Sequence, residues 1–79
     1  MPNILTATLR DNLDPDNLYS DFEIFEALEK VGLDHLVQKL KMDKNTMVDS
    51  STFSMAVNQM ICMARVLLKK YLFEFFDLI

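Results

Sequence analysis

The chain has 79 residues, of which 51% are hydrophobic and 25% are charged, a composition typical of a folded domain rather than a disordered segment. Its single glycine, Gly32, excludes within these residues the phosphate-binding loops that need two or more glycines. The net charge of −4 argues against a protein that tracks the phosphates of a nucleic acid, because such proteins need a basic surface.

Few residues could form a metal site or a catalytic pair. Cys62 is the only cysteine and His35 the only histidine. These two residues cannot build a Cys/His zinc site or an internal disulfide, and no adjacent serine or cysteine suggests a nucleophile–base pair. The charges of Arg65, Lys69 and Glu74 interrupt the apolar C-terminal third, so no membrane-spanning segment is predicted.

The N-terminal third is predicted to contain one helix. Residues 1–19 are predicted to be irregular, with a turn at 14–17, where the sequence is Asp-Pro-Asp-Asn. A helix is predicted over 20–31. Ser20 is its N-cap and Glu23 stands at the third helical position, which is the spacing of a capping box.

The buried face of this helix is predicted from the spacing of its apolar residues. They recur every three positions and have Ile24 beside them. These residues are Phe22, Phe25, Leu28 and Val31. Gly32 is predicted to end the helix in a left-handed conformation, and Asp34 to cap a second helix over 34–40. The apolar residues of the second helix are Leu36, Val37 and Leu40.

The second half of the chain is predicted to hold a connector, a long helix and a strand. Residues 41–52 form the polar connector, and Ser54 caps a helix over 54–68. Apolar residues recur in this helix at helical spacing. They are Val57, Met60, Ile61, Ala64, Leu67 and Leu68. The aromatic-rich segment 71–77 is predicted to be a strand, in which the charge of Glu74 is an exception.

A calcium-binding loop over residues 12–23 is one alternative for the function. Its oxygen-bearing side chains fall at positions 1, 3, 5, 9 and 12 of an EF-hand loop, and a helix follows. They are Asn12, Asp14, Asp16, Ser20 and Glu23. Asn17 stands where the motif has glycine, and the segment before the loop is a poor helix. The competing interpretation is a turn that leads into a capped helix.

Two further groups of residues suggest surfaces rather than catalytic sites. Four acidic residues of the first helix are interpreted as a solvated face: Asp21, Glu23, Glu26 and Glu29. Five methionines beyond the initiator could give a small helical interaction module an adaptable surface. They are Met42, Met47, Met55, Met60 and Met63. Met60 lies on the apolar face, whereas Met55 and Met63 lie nearer its edges and could face a partner.

Two stretches resemble one protein family. They are TLRDNLDPDNLYSDFEIFEALEKVGL at 8–33 and TFSMAVNQMICMARVLL at 52–68. In this order and spacing they are similar to the nucleotide-binding domain of ATP-binding cassette transporters, most of all to the second such domain of the multidrug-resistance-associated (C) subfamily. The family reads R-x-N-L-D-P in the first stretch, and N-F-S-x-G-Q-R-Q-L-x-C-L-A-R-A-L-L in the second. The resemblance covers about residues 2–77 without a gap.

The resemblance implies a fold and a set of site residues. The fold is a mostly α fragment of an α/β P-loop NTPase domain: the post-Q-loop region, the α-helical subdomain, a degenerate signature motif and a Walker B strand. The signature falls on Phe53, Ser54, Met55, Ala56 and Val57. Ser54 is the serine that binds the γ-phosphate of an ATP held by a partner domain. Asp77 matches the aspartate that holds Mg²⁺.

Several positions depart from the family. Ala56 replaces a glycine and Val57 a glutamine of the signature, and Leu78 stands where the catalytic glutamate is expected. A methyl group at Ala56 impedes close approach of a phosphate, and leucine cannot orient the attacking water. By the resemblance, the Walker A loop and the Q-loop glutamine precede residue 1 and the switch histidine follows residue 79. The chain is therefore expected to be a truncated domain that neither binds ATP tightly nor hydrolyses it alone.

The resemblance also implies partners and a location. The cofactors would be ATP and Mg²⁺, and the partners a complementary nucleotide-binding domain and the membrane domains of an exporter. The chain would lie at the cytoplasmic side of the membrane as part of that transporter. Self-association is a further expectation, because an apolar strand at 71–77 without neighbours would leave its edges exposed.

Overall fold

The computed structural model describes residues 4–43 and 45–77, with side chains described as far as Tyr71. Four helices and two short strands follow one another along these residues. In chain order they are β1 (Ala7–Thr8), α1 (Leu9–Leu13), α2 (Asp21–Lys30), α3 (Asp34–Met42), β2 (Met47–Val48) and α4 (Met55–Asp77). The strands pair antiparallel, with Ala7 opposite Val48. The prediction of a mostly helical chain is confirmed.

The prediction that residues 1–19 are irregular is wrong for 7–13. The Thr8 hydroxyl accepts a hydrogen bond from the Asp11 amide at 3.1 Å and so caps α1. Leu9 and Leu13 are buried on the inner side of this helix. A helix of five residues is too short to show a hydrophobic period, and it is stabilised by its cap and by its packing rather than by propensity.

Helix α2 begins as predicted and buries most of the predicted face. The capping box is confirmed: the Glu23 amide donates to Ser20 Oγ at 3.2 Å, and the Ser20 amide donates to Glu23 Oε1 at 3.0 Å. The predicted stripe is confirmed for Leu28, which is buried, and for Phe25 and Val31, which pack partly buried against the core. It is wrong for Phe22, whose side chain is 72% exposed. The fully buried residues of α2, which packs against α4, are Ile24, Ala27 and Leu28.

Gly32 ends α2 with a hydrogen-bond pattern that requires a left-handed residue. Its φ is +83°, its amide donates to the Glu29 carbonyl at 3.0 Å, and the Leu33 amide donates to the Leu28 carbonyl at 2.8 Å. These two bonds form a Schellman motif, which satisfies carbonyls at the end of the helix. The prediction for Gly32 is confirmed.

Replacing Gly32 with alanine is expected to lower the free energy of unfolding by about 1–2 kcal/mol, the cost of a left-handed L-residue. The added Cβ would lie 3.5 Å from Met60 Cε, an ordinary contact, so the cost is conformational rather than steric. Urea denaturation measures it. Gly32→Asn is the matched control and should cost less, because asparagine tolerates this conformation. Equal losses in the two variants would contradict the explanation.

Helix α3 is not capped by Asp34 as predicted. Leu33 is the N-cap residue and makes no side-chain cap hydrogen bond, and Asp34 is the first helical residue. The chain enters α3 directly from the Schellman motif, so the helix begins one residue earlier than it would with Asp34 as the N-cap. The predicted inner residues are confirmed, since Leu36, Val37 and Leu40 are all buried.

Helix α4 is longer than predicted, and the predicted strand at 71–77 is wrong. The helix runs unbroken through Asp77. A strand needs a neighbouring strand for its backbone groups, and the sheet in the described residues consists of β1 and β2 alone. Adding residues to an existing helix satisfies those groups within the segment and avoids a new nucleation step. Lys69 and Lys70 therefore lie inside the helix.

The core lies between α4 and the three shorter helices. Ile61, Ala64 and Leu68 of α4, the helix that packs against α2, are 0% exposed. The other buried apolar side chains come from β2, α1, α2 and α3, and from Ile4 and Leu33 in the segments beside these elements. At the far end of this contact, Lys30 Nζ donates to Tyr71 Oη and lies 4.7 Å from the ring centroid. Helix α4 is thus the element on which the rest of the chain packs.

Candidate functional site

The signature-like residues lie at the N-terminus of α4, as predicted. Ser54 is exposed, and its Oγ accepts a hydrogen bond from the Val57 amide at 3.2 Å. Its carbonyl accepts from the Asn58 amide at 2.9 Å, which begins the helix. The amides of Met55 and Ala56 have no partner within the helix, because the first turn has no preceding carbonyls. These donors and the helix dipole form an environment that favours an anion.

The five signature-like residues divide into anchors and an outer surface. Phe53 and Val57 are partly buried against the core, and Lys39 Nζ lies 5.1 Å from the Phe53 ring centroid. Between them Ser54, Met55 and Ala56 are exposed. Phe53 and Val57 thus hold the start of α4 against the core, and Ser54 and Ala56 lie on its solvent-exposed side.

The loop before α4 is ordered by a carboxylate. Asp49 Oδ1 accepts from the Ser51 amide at 2.8 Å and from Ser51 Oγ at 2.6 Å. These hydrogen bonds, with those from Thr52, lower the pKa of Asp49. Asn58, which is buried, donates from Nδ2 to the Ser50 carbonyl at 3.0 Å and so ties this loop to α4.

The Asp49 turn should therefore weaken in acid. A carboxyl whose pKa is lower in the folded than in the unfolded chain stabilises the fold fully above its unfolded pKa of about 3.9. That contribution is lost as the pH falls through the lower folded pKa. A carbon-detected NMR titration of the Asp49 carboxyl should show a midpoint below the value of about 3.9 for an aspartate in an unfolded chain. A midpoint at or above that value would contradict the hydrogen bonding.

Asn12 and Arg65 form a buried polar contact that sequence reasoning missed. Arg65 Nε donates to the Asn12 carbonyl at 2.5 Å, and Nη2 donates to Asn12 Oδ1 at 3.2 Å. Asn12 Oδ1 also accepts from the Leu5 amide at 2.8 Å, and Nδ2 donates to the Leu5 and Thr8 carbonyls at 3.0 Å each. A signal was present in the sequence: Arg65 follows Ile61 by four residues, on the apolar face of its helix.

A second polar cluster holds the turn between α1 and α2. The buried carboxylate of Asp14 accepts from the Leu18 amide at 2.8 Å and from the Tyr19 amide at 3.0 Å. Arg10 bonds Asp14 at 3.4 Å, Asp21 at 3.0 Å and the Tyr19 carbonyl at 3.0 Å. Burial, then the charges of Asp14 and Glu23, raise the pKa of the Tyr19 hydroxyl. The hydrogen bonds of Asp14 and Arg10 to the backbone hold the turn in place, although its outer side chains are exposed.

An open cleft of about 570 Å³ lies between this turn and α4. Its apolar side chains include Leu5 and Leu18, which are 60% and 59% exposed. Arg65 and Lys69 line it from α4, and Asp11 and Asp16 from the opposite side. An apolar surface with charges of opposite sign on its two rims fits an amphipathic segment of a partner.

The residues of the predicted calcium loop do not converge on a cation. Asn12 Oδ1 faces the Leu5 amide and Arg65, the oxygens of Asp14 face backbone amides, and Glu23 Oε1 faces Ser20. In the described part of the chain, no three His, Cys, Asp or Glu side chains come together in a way that could hold a metal ion. Asp77 is the last residue of α4, and its side chain and all of Leu78 lie outside what the structure describes.

The remaining candidate residues lie mostly at the surface. Of the acidic set, Asp21 and Glu29 are exposed, while Glu26 and Glu23 are partly so, with Glu26 3.3 Å from Lys30. Among the methionines, Met60 is partly buried and the other four are exposed: Met42, Met47, Met55 and Met63. His35 is exposed, and Cys62 is partly buried with Arg65 Nη1 3.7 Å from its Sγ.

Within 4–43 and 45–77, none of the helices combines the length and the apolar character that a membrane crossing requires.

Comparison with known proteins relates the chain to one class. It is 42% identical over 77 residues to ABC transporter C family member 7 of Dictyostelium discoideum, a match that covers 96% of this chain and 6% of that protein. It is 41% identical over 70 residues to ATP-binding cassette sub-family C member 4 of Mus musculus, covering 86% of this chain and 5% of that protein. The chain is also 39% identical over 71 residues to ABC transporter C family member 3 of Arabidopsis thaliana, a match that covers 87% of this chain and 5% of that protein. No protein-family model matches the chain.

These matches support the resemblance seen in the sequence. Nearly the whole chain is homologous to one segment of C-family ATP-binding cassette transporters, and it spans only about 5–6% of the length of the relatives it matches.

Proposed function

We propose that this chain works as part of a nucleotide-binding domain of a C-family ATP-binding cassette transporter, most similar to the second such domain. Its part would be the α-helical subdomain, which relates the nucleotide state to the membrane domains. The observation that carries the proposal is Ser54. Its position matches the signature serine, and it is an exposed N-cap residue with free amide donors behind it at the start of α4.

The proposed ligand of this end of α4 is the γ-phosphate of an ATP held by a complementary domain. The donor set fits a phosphate, because it consists of a hydroxyl, backbone amides and a helix N-terminus, without an acidic residue in the first turn. When bound with Mg²⁺, ATP supplies the free energy of its hydrolysis to the transporter. The proposal that Asp77 holds the Mg²⁺ rests on its match to the Walker B aspartate.

We propose further that this site is weakened relative to its relatives. Ala56 is exposed beside Ser54, so its methyl group stands on the surface that a phosphate would approach. Val57 has its side chain turned partly into the core, where it cannot offer a hydrogen bond outward. With leucine also at position 78, the chain alone is expected not to hydrolyse ATP.

The cleft beside the turn is the proposed contact surface for a membrane domain. It has an apolar floor, acidic and basic rims, and a wall held rigid by Asp14 and Arg10. Through this contact the chain would be located at the cytoplasmic side of a membrane without crossing it.

A chimeric transporter tests the proposal. Residues 4–70 would replace the homologous segment of mouse sub-family C member 4, which keeps that protein's own Walker A, Walker B and catalytic glutamate. Ala56→Gly with Val57→Gln should then raise ATPase activity about tenfold, the worth of a hydrogen bond to a charged group. Adding Ser54→Ala should abolish the gain. No gain in a chimera that is correctly inserted would overturn the proposal.

A small helical interaction module is a second candidate function, and one observation favours it. Met55, Met63 and Val66 lie along α4 at spacings of eight and three and are 72%, 57% and 66% exposed. Such a stripe, with two flexible methionines and a valine, could bind a partner helix. Capture of the same partner by the full chain and by a Met55→Gln, Met63→Gln, Val66→Gln variant would count against this candidate.

A further inference from the structure

Helix α4 has an exposed side that is apolar and basic. Met55, Met63 and Val66 are exposed on it. Lys70 is also exposed and follows Val66 by four residues, so it continues the same side of the helix by one turn. Residues 55–70 contain three basic residues and no acidic one, although the chain has a net charge of −4. The side formed by Met55, Met63, Val66 and Lys70 is called the α4 outer face.

Helix α2 carries the opposite charge on its own exposed side. Phe22 is exposed, and Glu26 and Glu29 follow it at spacings of four and three, so the three residues share one side of the helix. The buried side of α2 carries Ile24 and Leu28 instead. Phe22 therefore does not contribute to the core of its own chain. The side formed by Phe22, Glu26 and Glu29 is called the α2 outer face.

The two outer faces match each other in charge and in spacing. Phe22 and Glu29 are seven residues apart. Met63 and Lys70 are also seven residues apart, which is roughly 10 Å along either helix at 1.5 Å per residue. When the two helices lie side by side and parallel, the contact of Phe22 with Met63 therefore brings the charges at the other end together. Glu29 is the carboxylate that meets Lys70, because Glu26 already forms an ion pair within α2.

The two outer faces cannot meet within one chain. Each lies on the side of its helix that is turned away from the core, and α2 and α4 pack against each other through the core. The α2 outer face of one copy can meet the α4 outer face of another copy. A contact between two different surfaces of the same molecule is heterologous, and it forms open chains of copies unless its rotation closes a ring.

We propose that the α4 outer face binds the α2 outer face of a second copy of this chain, with Phe22 against Met63 and Glu29 against Lys70. The flexible methionine adapts to the aromatic ring and adds a sulfur–aromatic contact. The ion pair sets the register more than the affinity, because an exposed pair contributes little. The contact is small, so a Kd on the order of 0.1 mM is expected. The inference rests on the second candidate function, the interaction module, and is independent of Ser54.

Sedimentation of the full chain tests the inference. As the concentration rises to about 1 mM, the weight-average mass should increase from the monomer value of 9.2 kDa beyond that of a dimer. Phe22→Glu blocks the α2 outer face and Met63→Glu blocks the α4 outer face, because each places a carboxylate in the apolar part of the contact. Each variant alone should remain monomeric. An equimolar mixture of the two should form a dimer and nothing larger, because each chain then keeps one usable face.

Two further variants control for the added carboxylate. Met42→Glu on α3 and Leu18→Glu beside the cleft replace other exposed apolar residues, and both should associate as the parent chain does. A Phe22→Glu variant that still dimerised would show that two α4 outer faces pair with each other. Loss of association in Leu18→Glu would place the contact at the cleft. Either result would overturn the inference, as would a parent chain that stays monomeric.

An exchange of charges tests the register of the two helices. Glu29→Lys should raise the Kd about fivefold, because a repulsion replaces an exposed ion pair. Adding Lys70→Glu to the same chain should restore the parent Kd. A double variant that associates no better than Glu29→Lys would overturn the proposed alignment.

The result can be read whether or not the other proposals hold. If Phe22→Glu does not fold by circular dichroism, Phe22→Ser takes its place, because it removes the same ring without adding a charge. The masses are measured without nucleotide and without another protein. A monomeric parent chain would therefore overturn this inference alone, while the chimera and the partner-capture test still decide the two proposed functions.

Discussion

Replacing Leu28 with alanine is expected to destabilise the chain by about 2–5 kcal/mol, the range for truncating a buried leucine. Leu28 is 0% exposed in α2, the helix that packs against α4. A domain of this size has a total stability of only about 5–10 kcal/mol, so the substitution should remove a large fraction of that stability. Guanidinium denaturation followed by circular dichroism gives the loss.

Phe22 is the matched control on the same helix. It was predicted from the spacing to belong to the buried stripe, but it is 72% exposed. Phe22→Ala should therefore change the free energy of unfolding by no more than about 0.5 kcal/mol, as at other surface positions. A larger loss in Phe22→Ala than in Leu28→Ala would show that Phe22 belongs to the buried face of α2.

Replacing Asp14 with alanine is expected to lower the free energy of unfolding by about 2–4 kcal/mol, because it leaves buried donors without a charged acceptor. The amides of Leu18 and Tyr19 would lose their partner, and Arg10 would lose one of its carboxylates. Both amides should then exchange with deuterium faster than in the parent chain. Thermal unfolding and amide exchange by NMR measure the two effects.

Asp16 provides the comparison for Asp14. It is two residues away in the same turn and carries the same charge, but its side chain is exposed. The free energy of unfolding of Asp16→Ala should therefore differ from that of the parent chain by no more than about 0.5 kcal/mol. If the two variants lost equal stability, the carboxylate of Asp14 would not be the group that holds the turn.

The parts of the fold with local causes could be predicted from the sequence. The capping box of Ser20 and Glu23 and the left-handed Gly32 depend on residues within a few positions of one another. The N-cap role of Ser54 is of the same kind. Each of these features depends on a particular residue type at a fixed distance along the chain from a helix end, and both can be seen in a sequence.

The parts with distant causes could not be predicted. Which residues of α2 are buried depends on its packing against α4, which buries Ala27 and leaves Phe22 exposed. The state of residues 71–77 depends on whether a neighbouring strand is present, so an aromatic segment with β propensity is helical here. In the first case the spacing of apolar residues, and in the second the β propensity, was outweighed by contacts between elements that are far apart in the chain.

The same division holds for the candidate site. The position of Ser54 followed from the family resemblance, and the structure places it as an exposed N-cap residue. Spacing placed Arg65 on the apolar face of its helix, but its partner Asn12 lies 53 positions away and could not be predicted from spacing. In the sequence analysis Asn12 was considered as a ligand only in the alternative of a calcium loop, because its oxygen fits position 1 of that motif.

One measurement addresses the proposed role of α4 most directly. The ¹⁵N-labelled chain would be titrated with an isolated nucleotide-binding domain of a C-family relative, with and without a non-hydrolysable ATP analogue, while amide chemical shifts are recorded. The account predicts nucleotide-dependent shifts at Ser54, Ala56 and Val57, which grow in the Ala56→Gly, Val57→Gln variant. Shifts that are absent in that variant, or that arise at other residues and not at the start of α4, would contradict it.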